Sequence, residues 1–398
     1  MTSVVGGGAE TNTGREPAKV LLTGFPGFLG SALLERLLAR GDGPVACLVQ
    51  PQYGELAQRR AAEIVQRCAT DHPDPDGATD HSDPRNATVH LHEGDITETA
   101  LGLGDDAGAS TDLAARSDLG AVTELYHLAA VYDLGVDADL AEAVNVSGTA
   151  NVLDAAETLG VERLHYVSTC YVSGRYDGVF TGNHLDEGQS FNNHYERSKF
   201  RAELLVRERT NGGLSATVYR PAITVGDSET GVTDKYDGPY YLLRFLLAQP
   251  ALLSVAPALP GSTRAELNVV PRDFVVDAIA HLSGREDTAG EVYQLCDPAP
   301  LSVPAFVDSV ADAAGRRVVR VPTPKPVARQ AFTTLARRGW SAEPAAIDYF
   351  DHPTRYACPN TRRALRGSGI ECPPFDSYVE HLVAYVREHP GVGDEAMV

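Results

Sequence analysis

In Tyr195-Glu196-Arg197-Ser198-Lys199 a phenol and an amine lie four residues apart. On a helix that spacing stacks both side chains on one face. A free phenol ionises near pH ~10, too high for ready acid–base work at neutrality. A nearby ammonium favours the phenolate and would lower that value. Such a phenol can exchange a proton with a carbonyl oxygen while hydride moves at the carbon. Lys199 is one of four lysines, with Lys19, Lys235 and Lys325, so chance is a poor explanation of the pair.

Hydride chemistry needs a carrier, and a second motif could hold one. Thr23-Gly24-Phe25-Pro26-Gly27-Phe28-Leu29-Gly30 separates a short apolar run from a helical pattern. Gly24 would allow a tight turn, Gly27 would let the backbone approach a pyrophosphate, and Gly30 would let helix and strand pack closely. The phosphates would sit at the helix N-terminus, where free N–H groups and the helix dipole favour negative charge. A glycine pattern alone is weak; the strand before it and the helix after it give it meaning.

Those motifs need a scaffold, and the chain describes one. Lys19–Thr23 and Pro44–Val49 read as buried strands flanking a helix over Gly30–Arg40, a βαβ unit. Strand patterns recur at Thr88–His92, Glu124–Ala129, Arg163–Ser168, Ser215–Tyr219 and Val292–Leu295. Helical periodicity fills Leu140–Leu159 and Tyr195–Arg209. The alternation predicts an α/β fold, a doubly wound parallel sheet of Rossmann type, with a smaller, mostly helical substrate-binding lobe. The expected division is a disordered tail over 1–17 and a dinucleotide-binding domain over 18–225, with a returning segment near 265–297. The substrate lobe would take 226–264 and 298–390, leaving a flexible tail over 391–398. Two acidic loops are expected, at Asp71–Arg85 and Leu101–Asp118. His72 and His81 in the first read as solvated loop histidines.

The glycine spacing, GxxGxxG, resembles the extended branch of the short-chain dehydrogenase/reductase superfamily. That resemblance implies that Asp95, after the third strand, contacts the adenine. It implies a cofactor cleft lined by Gly24, Phe25, Pro26, Gly27, Phe28, Leu29, Gly30, Gln50, Ile96, Ala129, Ala130, Pro221 and Ile223, together with Tyr195 and Lys199. Lys199 would also hold the nicotinamide ribose hydroxyls. The superfamily places a substrate-orienting hydroxyl in a loop such as Val167–Gly174 (VSTCYVSG). Counting back from Gly174 makes it Thr169, with Ser168 the alternative; it would donate to the developing alkoxide beside Tyr195. His127-Leu128-Ala129-Ala130 resembles the strand motif that lines the cofactor, and Asn145–Thr149 the helix segment facing the site; His127 itself is expected to be a packed strand residue. The second strand ends in Val49-Gln50-Pro51-Gln52, without the acid that holds an NAD ribose. Arg59 and Arg60 could reach a 2′-phosphate. The expected cofactor is NADP, with NAD the alternative.

Tyr219–Ile223, Gly226–Ser228, Asp234–Tyr240 and Leu267–Asp273 look like the thioester and fatty acyl-CoA reductase branch. The resemblance implies hydride transfer to a thioester carbonyl, giving an aldehyde or alcohol, with any carrier protein supplied in trans. The apolar stretch Tyr240–Leu259 would be a core helix of the lobe or the lining of an acyl channel. Rival readings are a nucleotide-sugar epimerase or dehydratase, a ketone or 3β-hydroxysteroid-type dehydrogenase, and a cofactor sensor without turnover.

Composition sets outer bounds. A formal net charge of −20 opposes binding to nucleic acid or anionic membranes. Six scattered cysteines never fall at CxxC spacing, so no metal site is expected. Cys170, without a basic partner nearby, is expected to be inert. Proline and arginine interrupt the longest apolar stretch, so no membrane span is expected. The expectation is a cytoplasmic monomer or homodimer acting on a small molecule.

Overall fold

The structure is a computed structural model that describes residues 2–5, 18–71, 87–103, 113, 116, 119, 121–250, 253–337 and 344–393. His72, His81 and most of the two expected acidic loops lie outside the described residues, as do 394–398 and most of the N-terminal tail.

In chain order the strands are β1 (Thr2–Val5), β2 (Val20–Thr23), β3 (Val45–Val49), β4 (Thr88–Glu93), β5 (Glu124–His127), β6 (Arg163–Val167), β7 (Val179–Phe180) and β8 (Ala216–Pro221). There follow β9 (Ile223–Val225), β10 (Ser254–Ala258), β11 (Glu266–Leu267), β12 (Val269–Pro271), β13 (Val292–Leu295), β14 (Leu301–Ser302), β15 (Val318–Pro322) and β16 (Arg355–Tyr356). The helices are α1 (Phe28–Ala39), α2 (Gly54–Asp71), α3 (Ala138–Ala141), α4 (Gly148–Leu159), α5 (His194–Asn211) and α6 (Pro239–Leu247). The C-terminal part adds α7 (Arg272–Ser283), α8 (Val303–Ala313), α9 (Lys325–Ala336), α10 (Pro359–Ala364) and α11 (Val379–Glu388).

Seven strands form one parallel sheet in the order β4-β3-β2-β5-β6-β8-β13. β2, β3 and β8 are buried at every position, because helices cover both faces. Leu22 faces a core completed by Leu33, Leu37, Ile64 and Ile279; its neighbour Leu21 faces the opposite core, with Leu125, Val152 and Val206. The strand order reverses between β2 and β5, which opens the crevice where α/β proteins bind ligands. A third apolar cluster, around Tyr240, Leu243, Phe306, Val307 and Leu382, joins α6, α8 and α11 beyond that crevice.

Two secondary-structure expectations are corrected first. Thr2–Val5, assigned to a disordered tail, pairs antiparallel with β4 as the eighth strand. β4 would otherwise be a bare edge, and the β-branched Val4 packs against the core there. Leu140–Leu159, read as one helix, is divided by a π-helical stretch over Glu142–Ser147. The Asn145 amide explains the division. Its Oδ1 accepts from Val131 N at 2.9 Å, and its Nδ2 donates to Val131 O at 3.2 Å and to Ser198 Oγ at 2.9 Å. These long-range bonds hold the helix at one point, a common use of a π-bulge beside a functional site.

One fully buried ion pair joins the sheet to α5. Glu203 and Arg220 side chains are fully buried and meet at 2.6 Å. Burial pushes the Glu203 carboxyl up, but Arg220, Arg207 and Ser168 together hold it below its ordinary range. Glu203→Ala strands a buried guanidinium, so it should cost roughly 3–5 kcal/mol of stability. A shift in the urea unfolding midpoint checks this; an unchanged midpoint would refute it.

Candidate active site

The glycine loop joins β2 to α1. Gly24 has φ +93°, and a Cβ there would come within 2.8 Å of Ala129 N, at the end of β5. A Cβ on Gly30 would strike the Gly24 carbonyl oxygen. Both positions therefore demand glycine, one for backbone hand and one for helix–loop contact. Gly27 caps α1 without a side-chain hydrogen bond, so no side chain occupies the first-turn N–H groups.

A cleft of about 520 Å³ runs from this loop to Tyr195 and Lys199. Its size is within the range of ligand sites. Gly24 through Gly30, Gln50, Asp95, Ile96, Ala129, Ala130, Thr169, Tyr195, Lys199, Pro221 and Ile223 all line it. The structure thus brings every candidate residue onto one surface. It adds Tyr53, Arg60, Val131, Tyr132, Thr233, Asp234, Lys235 and Asp237, which sequence reasoning had not placed there or, for Arg60, had left open. The shape and the glycine cradle fit a dinucleotide. Gly24–Gly30 would hold its phosphates, with the adenosine toward Gln50 and Asp95 and the nicotinamide toward Tyr195.

At the adenosine end Gln50 Nε2 donates to Asp95 Oδ2 at 2.8 Å. Burial pushes the Asp95 carboxyl up, yet bonds from the Thr97 backbone, Gln50 and the Thr97 hydroxyl bring it below its ordinary value. Arg60 donates to Pro26 O and pairs with Asp234 at 2.7 Å. Arg59 instead reaches Glu55 at 4.0 Å and is exposed. Of the two arginines considered, only Arg60 lines the cleft.

At the other end α5 carries Tyr195 and Lys199, both buried. Asn193 caps the helix by accepting from Glu196 N at 2.9 Å. Lys199 Nζ donates to Val167 O at 2.9 Å and stands 4.5 Å from the Tyr166 ring centroid. Burial lowers its pKa to about 7, with Glu203 opposing. Burial pushes the Tyr195 phenol up, with a hydrogen bond to Thr169 opposing. The expected lowering by the adjacent ammonium is not what this geometry gives. Lys199 faces the Val167 carbonyl, and desolvation governs the phenol. A phenol so placed stays protonated at neutral pH and is poised to donate.

The two candidate hydroxyls are told apart by their partners. Ser168 Oγ donates to Glu203 Oε2 at 2.7 Å and is consumed there. Thr169 bonds Tyr195 and accepts from Tyr171 N at 3.2 Å. His127 is held on both ring nitrogens, by Thr23 at 2.8 Å and Thr149 at 3.0 Å. Burial lowers its pKa to about 3, with Lys199 adding to the effect, so it is a neutral packed residue. Cys170 is buried, with its thiol on Arg220 O and Gln294.

Beyond Tyr195 lies an apolar chamber lined by Leu134, Tyr171, Leu242, Phe306, Phe332 and Phe350, among others. Tyr132 meets Tyr195 edge-on, with centroids 4.9 Å apart. Tyr349 donates to the buried Glu196 at 2.7 Å, which ties the C-terminal region to the turn of α5 that carries Tyr195. The stretch Tyr240–Leu259 is divided between α6 and β10: Tyr240, Leu243 and Leu246 are core, while Tyr241 and Leu242 line the chamber. Among the described residues no cluster of three or more His, Cys, Asp or Glu could hold a metal, and no helix is long and apolar enough to cross a membrane.

The sheet order, glycine cradle and Thr-Tyr-Lys constellation define an NAD(P)-dependent oxidoreductase of the extended short-chain dehydrogenase/reductase type. Within that class the chain belongs to the NAD-binding family described as male sterility protein, whose model matches residues 22–279. It is 26% identical to the terminal R domain from the myxalamid PKS-NRPS biosynthetic pathway. That similarity covers 94% of this chain and 90% of that one, with a TM-score of 0.73. It is 28% identical to a component of the linear gramicidin synthase of Brevibacillus parabrevis, over 90% of this chain and 7% of that protein. Aldehyde reductase lnbA of Aspergillus flavus is 28% identical over 40% of this chain and 16% of that protein. The chain therefore spans only a small part of these curated relatives.

The Lys199 environment makes a test. Its folded pKa, about 7, is below the ordinary 10.5. Between those values the unfolded chain binds more protons than the folded one, so stability contributed by this group rises with pH. Wild type should gain stability relative to Lys199→Met between pH ~7 and ~10, the window set by that shift. Thermal melts of the cofactor-free protein across this range check the sign; a falling difference would refute it.

Proposed function

We propose that this protein reduces an apolar acyl thioester, with NADPH as hydride source, to the aldehyde, and by a second reduction to the alcohol. The observation that carries the reading is the position of Tyr195, which lines both the dinucleotide cleft and the apolar chamber. A carbonyl at that junction would have an aliphatic or aromatic tail on one side and a reductant on the other. Similarity to a terminal R domain and resemblance to the thioester reductase branch support this reading. A nucleotide sugar would bring a diphosphate, and the chamber lining holds no Lys or Arg among the described residues. NADPH is favoured because the end of β3 offers Gln50 rather than an acid, while Arg60 lines the cleft.

Bound in the cleft, the nicotinamide would supply hydride to the carbonyl carbon. The hydroxyls of Thr169 and Tyr195 both donate to the carbonyl oxygen, where negative charge develops. Lys199, behind the phenol, stabilises the phenolate once the proton has left and offers its ammonium to ribose hydroxyls. The aromatic walls exclude water and strengthen each of these interactions. One hydride and one proton convert the thioester to aldehyde and thiol; a second pair gives the alcohol. In this mechanism Ser168 and Glu203 touch no reacting atom; they hold the loop that carries Thr169.

Absorbance of NADPH, and separately of NADH, followed with a panel of acyl-CoA thioesters tests the reading. NADPH should be consumed faster. Turnover of a nucleotide sugar with no thioester reduced would overturn it. Tyr195→Phe should lower kcat by at least about 10²-fold while leaving NADPH affinity nearly intact. Thr169→Ala should lose about 10²-fold, and Ser168→Ala should keep most of the rate. Wild-type kcat in Tyr195→Phe would place the proton donor elsewhere.

A further inference from the structure

The chain is acidic overall, yet one part of it is strongly basic. From Ala313 to Ala342 there is no Asp or Glu, while seven Lys or Arg occur, within a chain of net charge −20. In the fold this run supplies β15 and α9.

β15 pairs in parallel with β10, Val255 opposite Val319 and Pro257 opposite Val321, as a ribbon of two strands. Its inner side is ordinary: Ala256 is in the third core and Val318 packs against it. Its outer side is not. Leu253, Val255, Val319 and Val321 alternate with the inward residues and are between 44% and 56% exposed. Val327, at the start of α9, is also exposed. Five of the eight exposed large hydrophobic residues among the described residues thus gather on one ribbon and its adjoining helix. A solvated strand face is normally polar, and a gathered apolar face marks an interaction site. Among the described residues no third strand pairs with the ribbon, although the Gln249 side chain bonds the N–H and carbonyl of Val255.

Cations flank this face. Arg317, Arg320, Arg329 and Arg337 are exposed. Arg320 is matched by Asp308 at 2.9 Å and Arg329 by Asp348 at 2.6 Å. Arg317 and Arg337 make no ion pair among the described residues. The patch also adjoins the substrate site. α9 carries Val327 outward and sends Phe332 into the wall of the apolar chamber.

We propose that the outer face of the β10–β15 ribbon, with Arg317 and Arg337, docks an acidic carrier domain that delivers the acyl group as a thioester. This rests on the thioester reading above and names the partner of that same site. Charge complementarity selects an acidic partner. Contact with a wall of the chamber selects one that brings substrate. A two-fold contact with a second copy through this face would set arginine against arginine.

The experiment compares two forms of one substrate: an octanoyl thioester on an acidic stand-alone carrier protein, and octanoyl-pantetheine free in solution. Arg317→Glu/Arg337→Glu and, separately, Val319→Asp should lower kcat/KM for the carrier-borne thioester at least tenfold. The free thioester should change less than twofold, and added salt should weaken the wild-type preference. Equal losses on both substrates, or none on either, would overturn the proposal. So would variants that abolish self-association or binding to anionic vesicles while sparing the carrier. Carrier binding measured by fluorescence anisotropy separates the two readings. Binding lost in the charge-reversal variant while no thioester is ever reduced leaves the surface standing and removes the thioester reading. Undiminished binding in that variant removes the surface.

Discussion

A carboxylate sealed from water governs this site. Glu203 lies one helical turn beyond Lys199 and binds Arg220, Ser168 and Arg207 at once. A buried charge is tolerable only when its lone pairs are fully matched, because the desolvation cost of each ion is several kcal/mol. That requirement fixes three segments against one another: the end of β6, the strand β8 and the helix α5. The division of labour between adjacent hydroxyls follows from it. Ser168 is taken by the carboxylate, which leaves Thr169 to meet the Tyr195 phenol.

The cleft matches its charges locally. Arg60 pairs with Asp234 and Lys235 with Asp237, both pairs in its lining. What is left for an anionic dinucleotide is the uncapped start of α1, whose first-turn N–H groups favour negative charge. His127 adds no charge here, because burial beside Lys199 keeps it neutral. The aromatic chamber is the complementary half. It is nearly free of charge, so the polar groups at its mouth act in a low effective dielectric.

Much of this was legible in the residues. The seven parallel strands were all foreshadowed, because each is a short apolar run with a turn residue behind it. Gly24 and Gly30 could be read for their roles because backbone geometry acts locally. Helix α2 is not among the predicted elements, although Ala57, Ala61, Ile64, Val65 and Cys68 sit at helical spacing and are buried. The raised Tyr195 pKa was not legible, since spacing along a helix says nothing of desolvation. Nor was the chamber. Tyr349 meets Glu196 across 153 residues of chain, and Phe332 and Phe350 lie in a region without recognisable motifs. Contacts of that range are made by packing, and no local pattern encodes them.

The chamber has a divided origin. The groups proposed above to handle the proton lie between Thr169 and Lys199, whereas one wall comes from a later stretch that includes Phe332, Ala346, Tyr349 and Phe350. Among the described residues, Tyr349 is the one of these four that hydrogen-bonds to α5, through its hydroxyl. The other three contribute shape alone. On the proposed reading, the groups at the carbonyl and the shape of the tail chamber reside in separate stretches of chain. Substitution at Phe332, Ala346 or Phe350 would then alter the chamber wall and leave Thr169, Tyr195 and Lys199 in place. Tyr349 is the wall position whose replacement would also remove a hydrogen bond to the turn of α5 that carries Tyr195.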